Sequence, residues 1–414
     1  MRVLIITNTF PPSYTGGAEV ANYNLCRGLR RAGVDCSILV LHNRQARALD
    51  EHYELGGIPV HRINFPAILG PWRHWTDVVD GRVYLTVWHE LRRLKPDLAH
   101  IMNVSGATLA PYLACQNAHI PVVNTLHDLW LLCPNNMLYR KDGTLCNPSL
   151  STGSCGQCYR RYDFWGNIPY RRRVFAWLTS NVRMFISPSQ ALIDRHVEAG
   201  YDPRRFRLVP YGYEEQPFVP QVDSSPLRGI IETASHYHTV TYAGGGIEIK
   251  GAQTVIDAIP LLLRHDSRLR VVVAGSGEAS YLELFGQYSP RVCVIGRVPF
   301  QEMLALYAAS DLVLVPSVCH ENSPTVTHQS FQMGTPVVGS ALGGTPESIL
   351  EGETGYVFPP RRADVLAEKV LLHFARPPVT RRRMSRRCLE EARTRFSIEL
   401  CVARVLQAYH EALA

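Results

Sequence analysis

The feature that most limits how this chain can fold is a repeating unit. A short apolar run is followed by an amphipathic stretch, and the unit recurs along the sequence. Residues 3–7, 37–41, 98–102, 122–126 and 206–209 are apolar runs without alternation, the pattern of strands covered on both faces. Residues 18–32, 107–118 and 189–199 carry helical periodicity. Gly33 and Gly200 follow two of these stretches, where glycine supplies the left-handed stop after a helix. Strand, helix and glycine in this order predict a parallel, doubly wound α/β sheet.

A polar, proline-bearing stretch over residues 214–236 interrupts the rhythm and reads as a linker. The unit then restarts, with strand-like runs at 240–243, 269–274, 292–295, 312–315 and 336–339. Helical patterns lie at 252–263, 301–309 and 325–333. The expected organisation is a Rossmann-like domain over 1–213, a linker over 214–236 and a second Rossmann-like domain over 237–390. The two would face each other across a cleft. The tail after Arg362 reads as helical, and residues 391–414 are expected to cross back onto the first domain. A length of 414 residues suits two or three domains at roughly 150 residues each.

Composition narrows the class. Hydrophobic residues at 46% and charged residues at 19% exclude a disordered, collagenous or coiled-coil chain. The net charge of +7 suits anionic ligands or a membrane surface without selecting between them. No apolar run reaches the roughly 18 residues of a membrane span. The first eight residues are too short an apolar core for a signal peptide, so a cytoplasmic protein is expected.

Open α/β sheets bind ligands at the carboxyl ends of their strands, and four candidate segments sit there. After the first strand, Gly16 and Gly17 open a helix and let a ligand approach its N-terminus. A plain strand–helix turn explains the glycines equally well, and the dinucleotide fingerprint is absent. His127 ends another strand, placed to touch a sugar hydroxyl or move a proton; a purely structural histidine is the commoner case. Gly244-Gly245-Gly246 and Lys250 lie between a strand and a helix, where glycines and one lysine make a phosphate cradle. The Gly-Lys-Ser/Thr ending of a P-loop is missing.

The densest segment runs from Pro316 to Gln329. Ser323 or Thr325 is expected to cap a helix, with Pro324 in its first turn and a phosphate at its N-terminus. Glu321 would accept hydrogen bonds from a polyol, with Asn322 beside it; Gln329 lies two helical turns further on.

In their order, these motifs resemble a retaining glycosyltransferase of family GT4, with the GT-B fold. The likeness covers nearly the whole chain. It runs through Pro11-Pro12-Ser13 to Glu19, Leu126-His127-Asp128, Ser187-Pro188-Ser189 and Val209-Pro210-Tyr211-Gly212. It continues through Ala274-Gly275-Ser276-Gly277 and Gly296-Arg297-Val298, and on from Glu321 to Gly343-Gly344-Thr345-Pro346-Glu347. The resemblance implies a hexosyl-transferring enzyme of polysaccharide biosynthesis, acting on a nucleotide-diphosphate sugar held chiefly by the second domain. It implies donor contacts from Gly16, Gly17, Gly245, Lys250, Gly277, Arg297, Val298, Glu321, Asn322, Ser323, Pro324, Thr325 and Gln329. Catalysis would rest on Glu321, His127 and Lys250.

The chain departs from the family pattern twice. The family's phosphate-binding arginine position is Gly245 here, and its second glutamate, on the ribose, is Gln329. A neutral glutamine in that role costs about 1 kcal/mol. No Asp-x-Asp occurs, so the expected reaction uses no metal and no catalytic cofactor. The acceptor is expected to be a lipid-linked or cell-surface glycan precursor. The alternative is a nucleotide-binding protein of the same fold with little or no turnover; a sugar-nucleotide epimerase is weaker, because its acid–base pair cannot be identified.

Of eleven cysteines, Cys133, Cys146, Cys155 and Cys158 cluster in an insertion over 133–158. The C-x12-C-x8-C-x2-C spacing suggests a structural zinc, with free thiols or an iron–sulfur cluster as alternatives. Residues 159–183 carry six arginines, Arg160, Arg161, Arg171, Arg172, Arg173 and Arg183, interleaved with aromatics. A solvated helix face with its aromatics in the core is preferred to peripheral contact with an anionic membrane. No nucleic-acid motif accompanies the charge.

Overall fold

The computed structural model describes residues 1–12, 17–45, 47–66, 78–104, 108–133, 135–147, 158, 169–214 and 225–414. They form two units, Met1–Gly212 with Ile398–Ala414, and Tyr213–Ser397.

In the first unit the strands are β1 (Arg2–Thr7), β2 (Asp35–Gln45), β3 (Leu49–Leu55), β4 (Ile58–Pro66), β5 (Leu98–Ile101), β6 (Val122–Thr125), β7 (Val182–Ser187) and β8 (Phe206–Leu208). They form one sheet in the order β3-β4-β2-β1-β5-β6-β7-β8, parallel except for the β3–β4 hairpin. The second unit contains β9 (His238–Tyr242), β10 (Leu269–Ala274), β11 (Val292–Gly296), β12 (Leu312–Val315), β13 (Val337–Ser340) and β14 (Gly355–Phe358). Its all-parallel order is β11-β10-β9-β12-β13-β14. Counted from the unit's own first strand this is 3-2-1-4-5-6, the doubly wound Rossmann arrangement. Strand order reverses between β9 and β12, and between β1 and β5 in the first sheet. Loops leaving such a switch point diverge to opposite faces and open a ligand crevice.

The apolar runs form strands because both faces are covered. Every residue of β5, β6, β10, β12 and β13 is buried. Helix α1 (Gly17–Arg31) packs against the helix Ile398–Leu413 so closely that a Cβ on Gly28 would lie 2.5 Å from Val402. Val402, Val405, Ala408 and Tyr409 share a core cluster with Val3, Ile5 and Leu29. Tyr409 also reaches His100 on β5, its hydroxyl 2.7 Å from Nδ1. The chain therefore returns to its first unit at Ile398.

Three readings of the sequence change. The hairpin β3–β4 escapes the apolar criterion because β3 is an exposed edge strand rich in charge, Leu-Asp-Glu-His-Tyr-Glu-Leu. Strand β7 begins at Val182, so Arg183 lies on a strand rather than a helix face. Within the stretch read as a linker, Ser225–Glu232 form a helix. Leu227 and Ile230 make it fold, because they bury against Val272, Ala274 and Leu306.

Five histidines are held neutral by burial, with pKa values lowered to about 3 for His100, His328 and His373 and about 4 for His127 and His196. In the unfolded chain each takes up a proton near pH 6.5, so acid favours unfolding until the folded values are reached. Stability is expected to fall as pH drops from 7 to 5.5, by about 1 kcal/mol per buried histidine. Urea midpoints measured across that range check this; a midpoint unmoved at pH 5.5 contradicts it.

Candidate active site

Glycines determine how the loops at the second switch point approach one another. Gly245 follows β9 with φ +55, and a Cβ there would lie 2.3 Å from the Ser276 carbonyl oxygen. A Cβ on Gly277 would lie 2.3 Å from the Gly246 carbonyl carbon. The loops after β9, β10 and β11 are stitched by backbone bonds: Gly245 N–H to Ala274 O (3.0 Å), Gly275 N–H to Gly296 O (2.7 Å) and Glu278 N–H to Gly246 O (2.8 Å). Arg297, exposed beyond β11, donates from Nε to Ser276 Oγ at 3.1 Å. Val298 turns its side chain into the Leu227 and Ile230 cluster, so any ligand contact from it is through the backbone.

Lys250 ends a short 3-10 turn, Glu248–Lys250. Gly251, at φ +85, follows it, and a Cβ there would lie 2.1 Å from the Pro316 carbonyl oxygen. Val318 N–H donates to Ile249 O at 3.0 Å. These contacts bring Lys250 to the loop after β12. Its Nζ lies 2.6 Å from Glu321 Oε1, which also accepts from Ser317 Oγ at 2.8 Å. Burial disfavours the ammonium, but the adjacent Glu321 carboxylate outweighs it and raises the Lys250 pKa. Glu321 is clamped from behind: a Cβ on Gly343, at φ +61, would lie 2.2 Å from its carbonyl oxygen, and Gly344 N–H donates to that oxygen at 2.8 Å.

The helix Thr325–Gln332 starts beside this pair, with Pro324 at the N-cap position and no side-chain cap. The expected Ser323 or Thr325 cap is thus not formed. Ser323 Oγ instead lies 2.8 Å from Nε2 of the buried His328, which stacks on Tyr213 and packs on Phe396. Thr327 N–H donates to Pro324 O at 3.0 Å, and no side chain at the N-cap accepts from the first turn, a setting that favours an anion. Gln329 is buried on this helix, and Asn322 is half-buried on the loop before it.

In the first unit, His127 follows β6. Its Nδ1 lies 2.6 Å from the Tyr211 hydroxyl, the two rings stack at 5.5 Å, and its buried Nε2 has no hydrogen-bond partner among the described residues. A recess of about 20 Å³, lined by Asn103, Asn124 and Asp128 among others, borders this ring. At the neighbouring switch point Asn8 N–H donates to Asn103 O at 2.6 Å. Gly17 is the first residue of α1; Gly16 lies outside the described residues.

Tyr211, Ser276, Ser317 and His328 carry no role in the motif readings, yet each lies within hydrogen-bond distance of a predicted site residue. Ser317 lies only four residues from Glu321 and was open to a local reading, whereas Tyr211 is 84 residues from His127 and Ser276 is 21 from Arg297. Among the described residues Cys133, Cys146 and Cys158 are in no disulfide, and Cys133 Sγ lies 2.7 Å from Asn135 Oδ1; Cys155 lies outside the described residues. Phe175 is buried and Trp177 is 61% exposed; residues 159–168 lie outside. Among the described residues, no helix is long and apolar enough to cross a membrane.

Two Rossmann-type units, with a lysine–carboxylate pair and an uncapped helix at the second switch point, define a GT-B fold. Residues 15–216 match the profile of Glycosyltransferase Family 4, and residues 237–375 match that of Glycosyl transferases group 1. The chain belongs to glycosyltransferase family GT4. A D-inositol 3-phosphate glycosyltransferase of Corynebacterium glutamicum is 32% identical over 229 residues, covering 51% of this chain and 53% of that protein. One from Pseudarthrobacter chlorophenolicus is 25% identical over 82% of this chain and 77% of its own length. The chain thus spans about half the length of the first of these relatives. Among solved structures, Anabaena HepE in complex with UDP aligns with TM-score 0.71 at 17% identity, over 99% of this chain and 100% of that one. Sucrose-phosphate synthase from Thermosynechococcus elongatus aligns at 0.74 and 18%, over 99% and 98%.

The packing around Gly245 yields a test. Restoring the family's arginine by Gly245→Arg is expected to destabilise the protein by about 2–4 kcal/mol, because the side chain meets backbone at a left-handed φ. It would not strengthen nucleotide binding. Denaturation curves and nucleoside diphosphate titrations of the variant measure both; tighter binding at full stability contradicts the packing argument.

Proposed function

We propose that this chain is a retaining glycosyltransferase that moves a sugar from a nucleotide-diphosphate donor to a hydroxyl acceptor without a metal ion. The observation that carries this reading is the Lys250–Glu321 pair beside the uncapped helix at Thr325. Departure of the nucleoside diphosphate places negative charge on the leaving oxygen and positive charge on the sugar's anomeric carbon. The Lys250 ammonium and the first-turn amides supply fixed positive potential for the first. Glu321 accepts hydrogen bonds from sugar hydroxyls and stabilises the second. A donor must separate the pair, because each partner now neutralises the other. The missing Asp-x-Asp supports metal-free chemistry.

His127, in the first unit, supports an acceptor contact. Its Nε2, with no hydrogen-bond partner among the described residues, belongs to a ring held neutral, with a pKa lowered to about 4 by burial. The names of the relatives support a polyol- or lipid-linked acceptor: D-inositol 3-phosphate glycosyltransferases, and a GDP-mannose-dependent mannosyltransferase acting on a phosphatidylinositol monomannoside. The Cys133, Cys146, Cys155 and Cys158 insertion follows His127 directly in sequence and supports a zinc-stapled segment near the acceptor. A cytoplasmic enzyme, reaching the inner membrane face through its basic segment, fits such an acceptor.

The second reading, binding without turnover, is favoured by Gly245, which leaves the phosphates one cation fewer than the family pattern.

A thermal-shift screen of UDP-, GDP-, ADP- and TDP-sugars, followed by assay of nucleoside diphosphate release, separates the two readings. Glu321→Gln is expected to lower transfer about 10²–10³-fold. It should leave nucleotide binding intact or tighter, because Lys250 is freed. Lys250→Ala should weaken nucleotide binding instead. NMR of the product anomer tests retention. Binding without release for every donor, unchanged by Glu321→Gln, would establish the second reading.

A further inference from the structure

The hairpin β3–β4 places Asp50, His52 and His61 on one face. His52 and His61 are directly paired across the strands, and Asp50 is two residues from His52 on the same side. One ligand atom from each residue lies within 4.8 Å of the other two, and this is the only such trio of histidine, cysteine or carboxylate residues among the described residues. The imidazoles stack at 3.9 Å with 17° between their planes. Asp50 Oδ1 lies 2.9 Å from His61 Nε2. Two donors on one tetrahedral zinc lie about 3.3 Å apart, so this hydrogen-bonded pair takes up an ion by releasing its bridging proton and opening slightly, with the imidazoles turned out of their stack.

A second observation points the same way. His61 is faced by a carboxylate on both sides: Asp50 at Nε2, and at Nδ1 the buried Glu90, 3.3 Å away. That Nδ1 is buried and has no hydrogen bond of adequate geometry. A neutral imidazole has one N–H and cannot satisfy both carboxylates; a second proton or a metal ion must make up the charge. A cation at Nε2 would resolve this, because Nε2 and Asp50 would share the ion while Nδ1–H turned to Glu90. A buried carboxylate behind a histidine ligand is the usual support of a zinc site. Glu90 is itself fixed by Arg93, through Nε at 3.2 Å to each oxygen and Nη2 at 2.5 Å.

We propose that Asp50, His52 and His61 bind a divalent zinc ion, with water completing the tetrahedron and Glu90 orienting His61. The opposite face of the hairpin gives the site a consequence. There the Tyr53 hydroxyl donates to Pro11 O at 2.6 Å, and Arg62 Nη2 donates to Phe10 O at 2.7 Å. An ion that fixes the hairpin also fixes the segment leaving β1. The site is independent of the sugar-transfer reading and of the cysteine insertion.

The test is cobalt titration of the chelator-stripped full chain. The expected result is one Co²⁺ per chain with d–d bands of nitrogen and oxygen ligands and no thiolate charge-transfer band, displaced by Zn²⁺. Any thiolate-bound cobalt is counted separately by that band. His52→Gln, at an exposed position, should abolish this class of binding without unfolding the protein. Glu90→Gln should preserve the stoichiometry and weaken affinity about 10–100-fold. Absence of a saturable nitrogen–oxygen class, or a class unchanged by His52→Gln, would overturn the proposal.

Discussion

The second unit depends on backbone approaching backbone where no side chain can intervene. Gly251 lies against Pro316, Gly343 against Glu321, and Gly245 against Ser276, each at a positive φ. These contacts draw the loops of four strands to one point and leave Lys250 and Glu321 2.6 Å apart. A lysine and a glutamate so placed are in tension. Each is stabilised by the other in an idle protein, yet under the proposed reaction each has a different ligand group to meet. Ser317 on Glu321 retains part of the carboxylate's hydrogen bonding when the lysine leaves. The geometry is that of a site preset by main chain and completed by its ligand.

The doubly wound sheets were legible because their strands are buried on both faces, and unalternated runs such as Leu269–Ala274 have few other solutions. The hairpin Leu49–Leu55 and Ile58–Pro66 was not, because an edge strand need not be apolar and here presents Asp50, Glu51, His52 and Glu54. The helix at Ser225–Glu232 hid among polar and proline-bearing residues; Leu227, Ile230 and Ile231 anchor it as a single i, i+3, i+4 set, one turn of periodicity inside a polar stretch.

Within the site, residue type and strand-end position identified Lys250 and Glu321, and the structure pairs them. The cap at Ser323 failed because a hydroxyl has more than one use. His328, five residues on, is buried beside it, and long-range burial is not written in local spacing. Gly245 was read as a lost arginine; its φ and its contact with Ser276 make it a requirement of the packing. Tyr211 is distant in sequence from His127, so only the folded chain shows that it holds the imidazole.

The C-terminal helix Ile398–Leu413 has a consequence for biosynthesis. It supplies one wall of the core that begins with Val3 and Ile5, yet the ribosome makes it after the entire second unit. At ordinary elongation speeds, roughly 10–40 s separate Gly212 from this helix. Throughout that interval the nascent first unit presents an uncovered apolar face around Leu25, Leu29 and Val34. The vectorial order of synthesis thus leaves this apolar face to be covered only after Ile398–Leu413 has been made.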